Sequence, residues 1–196
     1  MKASVYGELL EDDEKAAGLL KRIKTELPDT ALAQRVDGML AGIARQAEVR
    51  KIQKSLSPGN PFPEFSVKDL EGKPLGLTAM KGKVVLIDFW ATWCGPCVAE
   101  LPHVLKAYEK HHAQGFEIIG ISLDKEKAQL TSFLTREKMT WPQHLDGEDP
   151  KASLAAKYGI ESIPSTFLLD REGKVIERDL RGEALETAVA KAVAGN

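Results

Sequence analysis

Cysteine is scarce in this chain: its 196 residues contain two, Cys94 and Cys97, so no second pair exists to complete a four-ligand structural zinc site. The histidines, His103, His111, His112 and His144, do not have the H-x3-5-H spacing that would supply the missing ligands. An excess of one charge is also lacking. Lys and Arg number 27 against 29 Asp and Glu, for a net charge of −2, with no basic stripe to engage nucleic acid or an anionic membrane surface. No run of 18 apolar residues occurs, so the chain as given has no membrane span. The opening residues Met1 to Glu8 lack the apolar core of a secretory leader. What the length does allow is one full domain and a smaller appendage.

Both cysteines fall in one stretch, Val84–Cys97, V-V-L-I-D-F-W-A-T-W-C-G-P-C. Val84 to Trp90 is β-branched and aromatic, the pattern of a strand buried on both faces in a parallel sheet. Ala99, Leu101, Leu105 and Tyr108 then recur at helical spacing, which puts Cys94 at a helix N-terminus. Unpaired N–H groups and the positive end of the helix dipole stabilise a thiolate there and lower the thiol pKa. Cys97, one turn on, is placed to resolve a mixed disulfide formed at Cys94. Pro96 between them stiffens the turn and donates no backbone hydrogen bond.

Residues 8–55 predict two helices in an antiparallel hairpin: Leu9, Leu10, Leu19, Leu20, Ile23 and Leu27 form one stripe, Leu32, Val36, Leu40, Ile43 and Ala47 the other, with Asp29 or Thr30 as cap. Such a pair cannot bury both faces alone, and serves as an accessory packing element or as a dimerisation or docking surface. Ser57 to Pro63, with three prolines and a glycine, marks the boundary between residues 1–56 and a domain over 57–196. Residues 64–67 and 74–77 flank a turn and predict a hairpin extending the sheet edge. Further strands are expected over 116–123, after Pro164, and over 175–181, with one more short strand over 141–146. Helices are expected over 125–139, 151–158 and 183–194, and the set covers both faces of the sheet.

Trp93-Cys94-Gly95-Pro96-Cys97 resembles the active-site motif of the thioredoxin superfamily, and D-F-W-A-T-W-C-G-P-C-V-A-E-L-P resembles the TlpA/ResA-like thiol:disulfide oxidoreductases. The resemblance covers roughly residues 57–194. It implies an α/β fold of the thioredoxin type, a central mixed sheet with helices on both faces, preceded here by the helical hairpin. It implies disulfide exchange through Cys94 and Cys97, in the reducing direction given the Gly-Pro dipeptide, with no cofactor. Partners would be a disulfide-bearing protein and an upstream thiol donor. Relatives of this type are usually periplasmic or anchored facing the periplasm, which would make the present chain one whose leader has been trimmed; a cytoplasmic setting is the alternative.

The same resemblance gives roles to further residues. Asp88, a carboxylate inside an apolar strand and so expected to have a raised pKa, stands where thioredoxins keep an aspartate that assists proton transfer at the second cysteine. Glu100, one helical turn beyond Cys97, matches an acidic residue that tunes the thiols in ResA-like proteins; an ordinary exposed glutamate is the alternative. Which of the two handles the Cys97 proton is left open. Ile163-Pro164-Ser165-Thr166 resembles the superfamily loop opposite the cysteines, so the Ile163–Pro164 bond is expected to be cis. Trp93, Gly95, Pro96 and Ile163 are expected to form an apolar rim on which an extended segment docks beside Pro164. A peroxidase reading lacks the Thr/Arg pocket of a lone peroxidatic cysteine. A copper or zinc carrier would need wider cysteine spacing and a distal histidine, a role for which His144 is a poor candidate.

Overall fold

Leu27-Pro28-Asp29-Thr30 cannot continue a helix, and the chain reverses there. The computed structural model describes residues 13–147 and 153–195, and the chain divides into two compact units, Met1–Lys54 and Ser55–Asn196. In the first unit, α1 (Asp13–Glu26) and α2 (Ala31–Ser55) run antiparallel. Lys24 pairs with Asp37 at 2.7 Å near the turn, and Asp13 pairs with Arg50 at the far end. Leu20 and Val36 are buried between the helices, with Leu19, Ile23, Leu40 and Ile43 packed around them. Leu27 and Leu32, expected in this seam, are instead 54% and 38% exposed. The cause is phase: the Thr30 hydroxyl accepts the Ala33 N–H at 3.2 Å and starts α2 so that Ala33 and Val36 turn inward. Leu9 and Leu10 lie outside the described residues.

The second unit is built on a five-stranded sheet in the order β5-β4-β3-β6-β7, from β3 (Val84–Trp90), β4 (Phe116–Ser122), β5 (Gln143–Leu145), β6 (Ser165–Leu169) and β7 (Val175–Arg178). Strand β3 is central. It pairs parallel with β4, Asp88 opposite Gly120, and antiparallel with β6, Asp88 opposite Thr166. All seven residues of β3 (V-V-L-I-D-F-W) and of β4 (F-E-I-I-G-I-S) are buried, the polar Asp88, Glu117 and Ser122 among them, as strands covered on both faces require. Gly120 is glycine for a reason of space: an added Cβ would lie 2.0 Å from the Gln143 amide oxygen, which itself accepts the Trp90 indole N–H at 3.0 Å.

Helices α3 (Gly95–His111), α4 (Lys127–Arg136) and α6 (Gly182–Ala194) contribute Leu101, Val104, Leu130, Phe133, Leu185 and Val189 to one core with Leu86 and Trp90 of β3. The opposite face is built differently. Phe167 of the sheet meets Phe62 at a ring separation of 5.3 Å and Phe89 meets Tyr158 at 6.3 Å, with Phe62 and Tyr158 4.8 Å apart, and among the described residues the helical contribution is the single turn α5 (Leu154–Lys157) ahead of Tyr158. The helix expected over 151–158 is thus shorter, capped by the Ser153 hydroxyl on the Ala156 N–H, and Lys151 lies outside the described residues.

Two further expectations differ from the structure. The hairpin β1 (Ser66–Lys68) and β2 (Pro74–Gly76) does not extend the main sheet; it is a separate two-stranded sheet. The Asp69 carboxylate accepts the N–H groups of Glu71 and Lys73, closing the hairpin on itself. It meets the β5 edge through Leu70 N–H to Gln143 O at 3.0 Å and His144 Nδ1 to Lys68 O at 2.8 Å. Strand β7 ends at Arg178 rather than Arg181, because Asp179 takes a left-handed φ of 56° and donates its N–H to Thr166 O at 2.7 Å. That turn sends Leu180 and Arg181 towards the β3–α3 junction.

Candidate active site

Strand β3 delivers the chain to the start of α3, and the connection is held from outside the motif. The Asp124 carboxylate, buried after β4, accepts the Thr92 N–H at 2.9 Å, the Thr92 hydroxyl at 2.6 Å and the Ser122 hydroxyl at 2.6 Å. Cys94 is the N-cap of α3, with Gly95 and Pro96 in the first helical turn, where the missing proline N–H costs nothing. Cys94 and Cys97 form a disulfide of 2.09 Å with 5.2 Å between their Cα atoms. The Cys97 N–H points at Cys94 Sγ, 3.2 Å away. Once the bond is reduced, that N–H and the α3 terminus favour negative charge on the Cys94 sulfur.

The sulfurs lie between two unlike surroundings. Outside, Trp93 is 62% exposed, and Gly95 and Pro96 are exposed beside it. Ile163, half-buried, completes this side: its carbonyl oxygen is 3.8 Å from Cys94 Sγ, and the Ile163–Pro164 peptide is cis. Inside, Cys97 lines a small cavity together with Asp88, Glu100, Pro164, Thr166 and Arg181. Of the residues singled out in the sequence, Cys97, Asp88, Glu100 and Pro164 are therefore brought to one inner cavity, while Trp93, Gly95 and Pro96 stand on the outer rim.

Asp88 is buried, and its carboxyl pKa is pushed up to about 7. Burial is the largest cause; the Arg181 guanidinium pulls the other way, and the Glu100 carboxylate adds to the rise. Glu100 is no ordinary surface glutamate here: its Oε2 accepts the Gly182 N–H at 2.7 Å, at the N-terminus of α6. His103 Nδ1 lies 2.8 Å from Glu186 Oε1 on α6, and His103 is not among the residues lining the cavity. Among the described residues, no group of three or more His, Cys, Asp or Glu side chains is arranged to hold a metal ion.

Two participants were not legible beforehand. Arg181 donates to Thr166 Oγ1 at 3.2 Å, to its neighbour's carbonyl Leu180 O at 2.6 Å, and to Pro164 O. Asp124 holds Thr92. Arg181 was read as the end of a strand, and only the turn at Asp179 brings it inward; Asp124 had as its sole signal a buried-strand terminus followed by an acid.

A family model described as Redoxin matches residues 57–194. The chain belongs to the redoxin family. Within it, the chain is 34% identical over 126 residues to the thiol-disulfide oxidoreductase ResA of Bacillus thuringiensis (strain Al Hakam), an alignment spanning 64% of this chain and 71% of that protein. ResA of Bacillus subtilis (strain 168) is 33% identical over 125 residues, spanning 64% and 68%. Among solved structures, the thioredoxin domain of a thiol-disulfide oxidoreductase from Bacteroides vulgatus aligns with a TM-score of 0.64 and 36% identity over 71% of this chain and 99% of that one. A thiol:disulfide interchange protein from a Bacteroides species aligns with a TM-score of 0.64 and 37% identity, covering 72% and 93%. The matched part of this redoxin carries every site residue named above; the α1–α2 hairpin precedes it. Among the described residues, no helix is long and apolar enough to cross a membrane.

Proposed function

We propose that this redoxin is a thiol:disulfide oxidoreductase that reduces disulfides in protein partners. The observation that carries the reading is the Cys94–Cys97 pair on the first turn of α3, with the Cys97 N–H on Cys94 Sγ and the Ile163–Pro164 loop alongside. In the dithiol form, the Cys94 thiolate attacks one sulfur of the partner's disulfide; a Cys94–partner bond forms and the other partner sulfur leaves as a thiolate. Cys97 gives its proton to the cavity carboxylates, Asp88 and Glu100, and its thiolate attacks Cys94 Sγ. The Cys94–Cys97 bond forms, the second partner thiolate departs, and the carboxylates return the proton. Two electrons have moved from the dithiol to the partner, and an upstream thiol donor restores the dithiol.

Trp93, Gly95, Pro96 and Ile163 supply the rim against which the partner's segment lies, with the backbone beside Pro164 as its hydrogen-bonding edge. Following the TlpA/ResA resemblance, we place this work outside the bacterial cytoplasm. The α1–α2 hairpin is an accessory element or a surface for a second copy.

A redox titration of the purified chain with thiol trapping and mass readout tests the direction. The reading expects a two-electron couple at Cys94 and Cys97 near the reducing end of the superfamily range, roughly −270 to −200 mV. A midpoint near −120 mV would reverse the assigned direction.

A further inference from the structure

Arg181 makes contacts that the exchange chemistry, as described so far, does not use. Its Nη2 donates to the carbonyl of Pro164, the residue following the loop bond nearest Cys94. Its Nη1 donates to Thr166 Oγ1 at 3.2 Å, and Thr166 is the residue paired across the sheet with Asp88. The next residue, Gly182, donates its N–H to Glu100. Two consecutive residues thus bind the Pro164 loop and the α3 carboxylate, and the Arg181 side chain lines the cavity that holds Cys97, Asp88 and Glu100.

We propose that Arg181 is a positioning residue for the exchange reaction: it fixes the Pro164 loop against the dithiol and supplies the counter-charge that lets Asp88, in the same cavity as Cys97, act as a proton acceptor. This rests on the dithiol-exchange reading above. The charge inventory supports it. Asp88 of β3, Glu100 and Cys97 of α3, and Arg181 ahead of α6 are the titratable and charged groups lining the cavity, with the Thr166 hydroxyl among them. The other nearby charges are engaged elsewhere: His103 and Lys106 on Glu186, at 2.8 and 2.6 Å, and Arg178 on Asp179 at 3.3 Å. Burial alone would hold Asp88 protonated, and a second acid beside it would add to that; a carboxyl that keeps its own proton cannot take another. The opposing cation is Arg181. A planar fork is suited to this double task, since it binds two acceptors at fixed angles while its charge is permanent; a lysine would keep only the charge.

The test compares Arg181→Met with Arg181→Lys in the full chain, reading the 13C carboxyl titration of Asp88 in the reduced protein alongside the pH profile of kcat/KM for insulin reduction. In Arg181→Met the Asp88 midpoint rises by about one pH unit or more, the usual effect of losing an adjacent opposite charge, and the rising limb of the activity profile moves with it. Arg181→Lys keeps the midpoint within a few tenths of a unit, while KM for insulin rises several-fold because the loop is less firmly held. Should Arg181→Met fail to fold, Arg181→Gln removes the charge with less loss of hydrogen bonding and is expected to show the same rise. An unmoved Asp88 midpoint in a folded, uncharged variant overturns the proposal, as does a rise in Arg181→Lys equal to that in Arg181→Met. A wild-type chain that does not reduce insulin would instead count against the exchange reading, and the Asp88 titration would still judge Arg181.

Discussion

Asp88 opposes folding whenever it is ionised. Its carboxyl pKa is raised from 3.8 to about 7 in the folded chain, so the folded state binds the proton more tightly than the unfolded one. The associated stability is fully present below about pH 4 and is lost as pH rises through about 7. In the oxidised protein, where Cys97 does not titrate, Asp88→Asn should therefore be more stable than wild type at pH 8 by a few kcal/mol, with an upper bound of about 4 kcal/mol. The gain should nearly vanish at pH 4, which urea unfolding at the two pH values measures directly. The same substitution removes a proton acceptor beside Cys97. Resolution of the mixed disulfide should slow by about 100-fold, the low end for a general base, in rapid-mixing experiments near pH 7. A stability gain without loss of rate would leave Glu100 as the group that takes the proton. Asp88 was visible in the sequence because a carboxylate interrupts V-V-L-I-D-F-W. Arg181 was not: nothing in E-R-D-L-R-G signals that Asp179 turns left-handed and aims the second arginine inward.

At the scale of elements, the β3–α3 junction depends on a residue from another strand. Asp124 accepts three hydrogen bonds from Thr92 and Ser122 in a buried setting, fixing the approach to Trp93 and Cys94. Asp124→Ala leaves those donors without their acceptor, which should cost about 1 to 3 kcal/mol in urea unfolding. Because Thr92 then loses its anchor, Cys94-dependent insulin reduction should fall as well, whereas a purely global destabilisation would leave the activity of the folded fraction unchanged. Long elements with strong patterns, β3, β4 and α3, were readable from residue order because burial on both faces and helical spacing each leave a distinct apolar pattern. The β1–β2 hairpin was recognisable as a hairpin, yet its separation from the main sheet was not. That outcome turns on Asp69 closing the turn and on a single backbone bond to β5, neither of which has a periodic signature. The seam of α1 and α2 was misphased at Leu32 for a comparable reason, since one capping hydroxyl decides which residues face inward.

At the scale of the molecule, the chemistry resides in Ser55–Asn196, the unit that contains every site residue and the whole five-stranded sheet. A fragment spanning 55–196 should reduce insulin at a rate within a few-fold of the full chain. Loss of activity in a folded fragment would assign the α1–α2 hairpin a part in partner engagement. The two sulfurs divide the labour: Cys94, at the α3 N-cap beside Ile163, attacks the partner, and Cys97, lining the cavity, resolves the adduct. The most direct measurement of this division is mass analysis of Cys97→Ala after incubation of the reduced variant with a disulfide-bearing protein. The account predicts a stable adduct joined through Cys94, released by added thiol, and no adduct in Cys94→Ala. An adduct that forms at Cys97 in Cys94→Ala, with none at Cys94 in the converse variant, would contradict it.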